Sequence, residues 1–146
     1  MQGFFMILVT LAPFIDGHWS FELLIPKSIH SIAAHIIGIS GTSICLLAVR
    51  TMGKSFTIKA MPQHQAGLIT TGPFKWTRNP MYFGGLLMEV AWAVMFSSGL
   101  AITLTCGLAL VLYFKILIEE QNLIEMYGES YRLYKLKTKR LIPFVC

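Results

Sequence analysis

Long apolar segments alternate with polar connections along this chain, and their lengths predict its architecture. The apolar segments cover about 2–15, 29–49, 81–98 and 99–118. Each approaches the roughly 20 residues that an α-helix needs to cross the core of a bilayer. We therefore predict an all-α fold, an integral membrane helical bundle with about four transmembrane helices. The first segment lacks the basic start of a secretory signal, so we expect it to be a retained span.

The connections between these segments predict how the helices are joined. Only Ser97, Ser98 and Gly99 separate the third apolar segment from the fourth, which predicts a tight helical hairpin. From Glu119 onward the sequence becomes charged and amphipathic while keeping a helical spacing of apolar residues. We expect Gly128 to end the fourth helix and a C-terminal interfacial helix rich in tyrosine to follow it.

The composition supports a membrane protein made of one domain. Hydrophobic residues make up 55% of the 146 residues and charged residues 13%, against about a quarter charged in an average globular chain. The mean hydropathy is +0.64. A net charge of +5 indicates membrane topology rather than nucleic-acid binding, because Lys and Arg gather on the cytoplasmic side. We predict a single domain over 1–146 with no nucleic-acid partner.

The basic residues fall in two regions that predict the orientation in the membrane. Region 50–79 carries five basic residues and no acidic one, and the tail after 130 carries five more. An even number of spans separates the two regions, so both lie on one face, which the positive-inside rule assigns to the cytoplasm. The membrane would be a bacterial or archaeal inner membrane or the endoplasmic reticulum.

Several ionisable residues interrupt the apolar segments or lie at their ends. Glu89 lies within the third segment, Lys115 near the end of the fourth, and Glu119 and Glu120 just beyond it. Ionisable residues at such depth are candidates for function. Lys115 and Glu119 share one helix face, so Lys115 is either a snorkelling lysine in a helical ion pair or part of a site. Glu89 is either half of a structural pair or a wall of that site.

The hairpin would bring two polar stretches together at one membrane boundary. It returns the chain to the face that it left, so residues 79–82 and 115–120 converge there. We predict a pocket with a polar mouth toward the cytosol and an apolar side toward lipid, which suits one water-soluble and one lipophilic ligand. Gly84 and Gly85 permit close approach of another helix or of a ligand.

Two motifs in this order carry a family resemblance. The first is LITTGPFKWTRNPMYFGG, at 68–85, and the second is EEQNLIEMYGESYRLYKLKTKRLIPF, at 119–144. Together they resemble the isoprenylcysteine carboxyl methyltransferase and phospholipid methyltransferase superfamily, over about 50–144. The resemblance implies an integral membrane enzyme that uses S-adenosylmethionine without a Rossmann domain. The lack of a G-x-G-x-x-G unit agrees with that.

The resemblance also implies which residues form the site. The residues it assigns to the cofactor are Ala66, Gly67, Leu68, Ile69, Phe74, Arg78, Asn79, Pro80, Met81, Tyr82 and Glu119. Glu119 would hold the methionine amino group, and Arg78 or a nearby lysine would face its carboxylate. As catalytic residues we predict Lys115, which would hold a carboxylate acceptor, and Glu120, which with Glu89 is a candidate base for an amine acceptor. No metal is predicted.

Three positions depart from the carboxyl-methylating branch of this superfamily. That branch has histidines where this chain has Ala66 and Asn79, and an arginine where it has Lys115. A lysine keeps the positive charge but lacks the bidentate fork of arginine. The acceptor therefore stays open between a prenylcysteine carboxylate, a lipid headgroup and another lipophilic molecule.

Two other functions remain open from the sequence. An NADPH-dependent membrane reductase of the sterol type has a distantly similar architecture, and a non-catalytic membrane scaffold would use Gly84 and Gly85 for helix packing. A scaffold would not need Glu119. In either case membrane lipid is a partner, and the sequence leaves a homo-oligomer open.

Overall fold

The computed structural model describes residues 2–15, 27–53 and 67–143. Within these ranges the chain forms α1 (Gln2–Ile15), α2 (Lys27–Met52), α3 (Pro80–Met95), α4 (Gly99–Tyr127) and α5 (Glu129–Lys137). A 3-10 turn over Gly72–Lys75 precedes α3. The described residues contain no β-strand beyond a single isolated bridge between Thr77 and Lys139. The all-α prediction is confirmed.

Two of the helices are long enough to cross a membrane. Ser28–Met52 and Gly99–Tyr127 meet the requirements of length and apolar composition, and Met6–Ile15 and Pro80–Met95 are shorter apolar helices. The 29 residues of α4 extend about 43 Å at about 1.5 Å per residue, beyond a hydrocarbon core of about 30 Å. Its charged C-terminal part can therefore lie at the membrane boundary. The total of about four spans stays a prediction.

The hairpin and the tail follow the sequence prediction. Ser97 adopts a positive φ of 47°, and the buried Ser98 side chain caps α4 by accepting a hydrogen bond from the Ala101 backbone N–H at 3.1 Å. At the other end of α4, Gly128 has a φ of 56°, a conformation that glycine adopts without steric strain. The chain turns there and α5 begins at the next residue.

Helices α2 and α3 run in opposite directions and approach closely through two glycines. A Cβ atom placed on Gly84 would lie 2.7 Å from the Gly41 carbonyl oxygen and 2.6 Å from the Cys45 sulfur. One placed on Gly41 would lie 2.6 Å from the Gly84 carbonyl oxygen. At Gly85 a Cβ would meet nothing within 4 Å. Of the two neighbouring glycines, only Gly84 is required by the helix contact.

We predict that Gly84→Ala destabilises the protein while Gly85→Ala does not. Both substitutions gain the same helix propensity, about 1 kcal/mol, but only the first forces an overpacked contact, which costs about 1–3 kcal/mol. Thermal unfolding in detergent measures the difference between the two variants. Equal midpoints for both would contradict the contact between Gly41 and Gly84.

Helix α1 packs near the hairpin end of the bundle. A buried cluster joins Val9 and Ala12 of α1 to Ala93 and Ala101, and the Trp92 indole N–H donates to the Thr10 carbonyl at 3.2 Å. The opposite end of the bundle therefore contains the end of α2, the start of α3 and the end of α4. The polar residues predicted to converge lie at that end.

Candidate functional site

The start of α3 and the last part of α4 meet through three side chains. The Tyr82 hydroxyl donates to the Glu119 carboxylate, at 3.0 Å from Oε1 and 3.1 Å from Oε2. The Lys115 Nζ lies 3.6 Å from Glu119 Oε1 and 5.1 Å from the centre of the Tyr82 ring. We call these residues the Tyr82 cluster. It combines a carboxylate, a cation, a hydroxyl and an aromatic face at one point.

Local sequence explains how these side chains come together. Pro80 is the first residue of α3, a position that proline favours, and so Tyr82 lies in the first turn of that helix. Lys115 and Glu119 are four residues apart on α4 and so project from one face. The side chains of Lys115 and Glu119 are 38% and 29% exposed. An ion pair this open contributes little to stability, about 0–1 kcal/mol, and its partners remain accessible to a ligand.

A second cluster surrounds the neighbouring residue Glu120. Its Oε1 accepts from Arg78 Nε and lies 2.8 Å from Arg78 Nη2. Its Oε2 accepts from Arg140 at 3.3 Å and lies 3.4 Å from Lys135 Nζ. The side chains of Glu120 and Arg78 are only 3% and 6% exposed. We call these four residues the Glu120 cluster. One buried carboxylate here binds three cations.

The Glu120 cluster fastens the C-terminal segment to the loop before α3. Arg78 also donates to the Lys135 carbonyl at 3.2 Å and to the Thr138 carbonyl. The Asn79 side-chain amide donates to the Arg140 carbonyl at 2.8 Å. These bonds join residues about 60 positions apart. The start of α3, and with it Tyr82, is therefore held in place by the tail.

Helix α5 packs under the same loop through two tyrosines. Tyr131 and Tyr134 are buried, with ring centres 5.9 Å apart, and the Tyr134 hydroxyl donates to the Phe74 carbonyl at 2.8 Å. Burial raises the pKa of Tyr134 to about 12 and also raises the pKa of Tyr131. Both phenols therefore stay protonated at neutral pH, and Tyr134 keeps its hydrogen bond.

The predicted site residues fall into separate groups in the structure. Tyr82, Lys115 and Glu119 contact one another, whereas Arg78 and Glu120 contact each other in the second cluster. The remaining cofactor residues lie along the chain leading to Tyr82. An irregular segment contains Gly67, Leu68 and Ile69, and the 3-10 turn contains Phe74. Asn79 directly precedes α3, whose first turn contains Pro80 and Met81. Ala66 lies outside the described residues.

Sequence reasoning missed the residues that anchor the tail. Lys135 and Arg140 were interpreted only as topological charges, yet they bind Glu120. Thr77, whose hydroxyl donates to the Arg140 carbonyl at 3.2 Å, was not considered. A signal was present, because a carboxylate at the end of an apolar helix requires counter-charges and the basic tail supplies them.

A groove of about 670 Å³ lies between α2 and α3, away from both clusters. Its α3 wall runs from Met88 to Phe96, and its α2 wall carries His35, Thr42 and Ser43 among apolar residues. Among the predicted site residues that the structure describes, none lines it. The pocket predicted at the polar boundary is therefore not this groove.

Comparison with known proteins finds methyltransferases among the sequences similar to this chain. The sequence model of a family described as phospholipid methyltransferase matches residues 29–130. A probable protein-S-isoprenylcysteine O-methyltransferase of Oryza sativa subsp. indica is 35% identical over 114 residues, covering 75% of this chain and 59% of its own. Methanethiol S-methyltransferase 1 of Bradyrhizobium diazoefficiens is 26% identical over 138 residues, covering 94% of this chain and 38% of its own. This chain thus spans less than two thirds of the length of either relative.

The fold also resembles a solved structure. The eukaryotic intramembrane Ras methyltransferase, an isoprenylcysteine carboxyl methyltransferase, superimposes with a TM-score of 0.75 at 21% sequence identity. The match covers 98% of this chain and 52% of that one. The helical arrangement described above is therefore that of a known membrane protein fold.

Proposed function

This chain belongs to the phospholipid methyltransferase family, and we propose that it transfers a methyl group from S-adenosylmethionine to a lipophilic acceptor in the membrane. The observation that supports the proposal best is the Tyr82 cluster, because it unites the two separate motifs of the matched region at one point. The family match supports a methyltransferase and gives no support to the reductase or the scaffold.

The Tyr82 cluster suits the amino-acid end of such a donor. When bound, S-adenosylmethionine supplies an electrophilic methyl group on a sulfonium. Glu119 would hold the amino group, since a carboxylate pairs well with an ammonium. The Glu119 carboxylate accepts from Tyr82 at 3.0 and 3.1 Å, lies at a longer 3.6 Å from Lys115, and has a side chain that is 29% exposed. Tyr82 would orient the carboxylate and offer its ring to a positive charge.

Arg78, Asn79 and Glu120 receive a different role in this proposal. The Arg78 guanidinium is engaged by Glu120 and by two carbonyls, which leaves it little capacity for a donor carboxylate. Glu120 is engaged by three cations and is a poor candidate base. We propose that these residues hold the start of α3 in position. The donor contacts of Gly67 to Ile69, Phe74, Pro80 and Met81 stay predictions.

The chemical class of the acceptor would depend on whether Lys115 or Glu89 takes part in the reaction. An anionic acceptor arrives ionised, and Lys115, at the exposed edge of the Tyr82 cluster, would attract it. An amine must lose a proton, and Glu89 is buried on α3, two helical turns from Tyr82 on the same face. Approach from the bilayer, a cytoplasmic face and a homo-oligomer stay predictions, as does the single domain.

A transfer assay tests the proposal. Purified protein in detergent, given donor with a labelled methyl group, is expected to label at least one acceptor among a prenylcysteine, an aminophospholipid and an isoprenoid alcohol. The Glu119→Ala variant is the comparison, and at a donor concentration that does not saturate the wild type it is expected to label the acceptor less. Labelling that is equal in wild type and Glu119→Ala would count against the proposed site.

We predict that Glu89→Gln separates the two kinds of acceptor. If the labelled acceptor is an amine, losing this base lowers the rate by about 100-fold or more, while transfer to a carboxylate continues at the wild-type rate. Initial rates with each acceptor measure the effect, and unfolding midpoints check that the buried substitution leaves the fold intact. An undiminished rate with an amine would remove Glu89 from the reaction.

A further inference from the structure

We propose that Lys115 occupies the ammonium-binding position of Glu119, so that the methyl donor must displace it to bind. The inference rests on the proposed function and concerns the regulation of that same site. Lys115 and the amino end of the donor are both primary ammonium groups with three N–H donors. They would compete for one carboxylate.

The contact between Lys115 and Glu119 is longer and more exposed than the contacts of the neighbouring Glu120. Its N–O distance of 3.6 Å exceeds the roughly 2.7–2.9 Å of a strong charge-assisted hydrogen bond. Both side chains are partly exposed. The adjacent Glu120 provides the contrast, since its carboxylate contacts Arg78 at 2.8 Å inside a buried cluster. If Lys115 moves away from Glu119, the carboxylate that loses its counter-charge is partly exposed to solvent. If a cation moves away from Glu120, the carboxylate that loses it is buried.

Once displaced from Glu119, Lys115 would keep a contact with Tyr82. Its Nζ already lies 5.1 Å from the centre of the Tyr82 ring, within the range of a cation–π contact, and its four-carbon stem is flexible. Tyr82 meanwhile donates to Glu119 and so keeps the carboxylate in position during the exchange. Lys115 would then be released toward an anionic acceptor only after the donor has bound.

Removing the lysine charge should therefore tighten donor binding. We expect Lys115→Met to lower the Kd of S-adenosylhomocysteine, which carries the amino group, by about two- to fivefold. The Kd of 5′-methylthioadenosine, which lacks the amino acid part, should not change. Lys115→Arg keeps the competing charge and should show no gain.

Isothermal titration in detergent measures these affinities, and Lys137→Met serves as the matched control. Lys137 is exposed on α5, so its replacement changes the net charge equally and should leave both affinities unaltered. Weaker or unchanged binding of S-adenosylhomocysteine to Lys115→Met would overturn the displacement, as would an equal gain for both ligands. If wild type bound neither ligand, the proposed function itself would fail, and the inference with it.

If Lys115→Met does not fold, Lys115→Gln provides the same test. It removes the charge while keeping a polar side chain at the exposed edge of the cluster. The same selective gain for S-adenosylhomocysteine is expected, and its absence would overturn the displacement.

Discussion

Replacing Glu120 with alanine is expected to destabilise the folded protein by about 3–5 kcal/mol, the usual penalty for breaking a buried ion pair. The substitution leaves the Arg78 side chain, 6% exposed, without a counter-charge. It also removes the carboxylate that holds Lys135 and Arg140, so the tail loses its attachment to the loop before α3. Unfolding by heat or denaturant in detergent measures the loss.

Glu119 and Glu125 supply the controls for this experiment. Glu119 is adjacent in sequence but partly exposed, and Glu125 is exposed on the same helix. Alanine at either position should change stability by less than about 1 kcal/mol. A Glu120→Ala variant as stable as these two would mean that the Glu120 cluster does not hold the tail.

Replacing Glu119 with alanine, unlike replacing Glu120, is expected to leave the stability of the fold nearly unchanged and to lower the affinity for the methyl donor. A hydrogen bond to a charged group is worth about 1.5–3 kcal/mol. The Kd of S-adenosylhomocysteine should therefore rise by about 10- to 150-fold. Titration calorimetry of the purified variant provides the measurement.

Two further variants, Tyr82→Phe and Glu125→Ala, serve as comparisons for the loss of donor affinity in Glu119→Ala. The first removes the hydroxyl that donates to Glu119 and should weaken binding by a smaller factor than Glu119→Ala. The second removes a carboxylate elsewhere on α4 and should have no effect. Wild-type affinity in Glu119→Ala would show that the donor amino group is held elsewhere, without bearing on whether the protein binds a donor.

The helices and their connections were predictable because they depend on neighbours in sequence. The length of the apolar segments fixed α2 and α4, a connection of three residues fixed the hairpin, and Gly128 ended α4 where its φ of 56° requires. The α5 helix followed from the spacing of its tyrosines. Each of these features is encoded in one continuous stretch of the sequence.

The pairing of distant polar groups was not predictable in the same way. Arg78 and Asn79 bond to partners from 42 to 61 positions away, and no periodicity specifies such contacts. Glu119 and Glu120 look equivalent in sequence. Successive residues of a helix point about 100° apart, so one faces Tyr82 and the other faces Arg78. Only the packing of the tail against the loop decides which glutamate is buried.

The most direct test of the account is a calorimetric titration of the purified wild-type protein with S-adenosylhomocysteine. The proposal that this chain is an S-adenosylmethionine-dependent methyltransferase predicts saturable binding with one site per chain, competed by S-adenosylmethionine. A folded wild-type protein that shows no binding would contradict it.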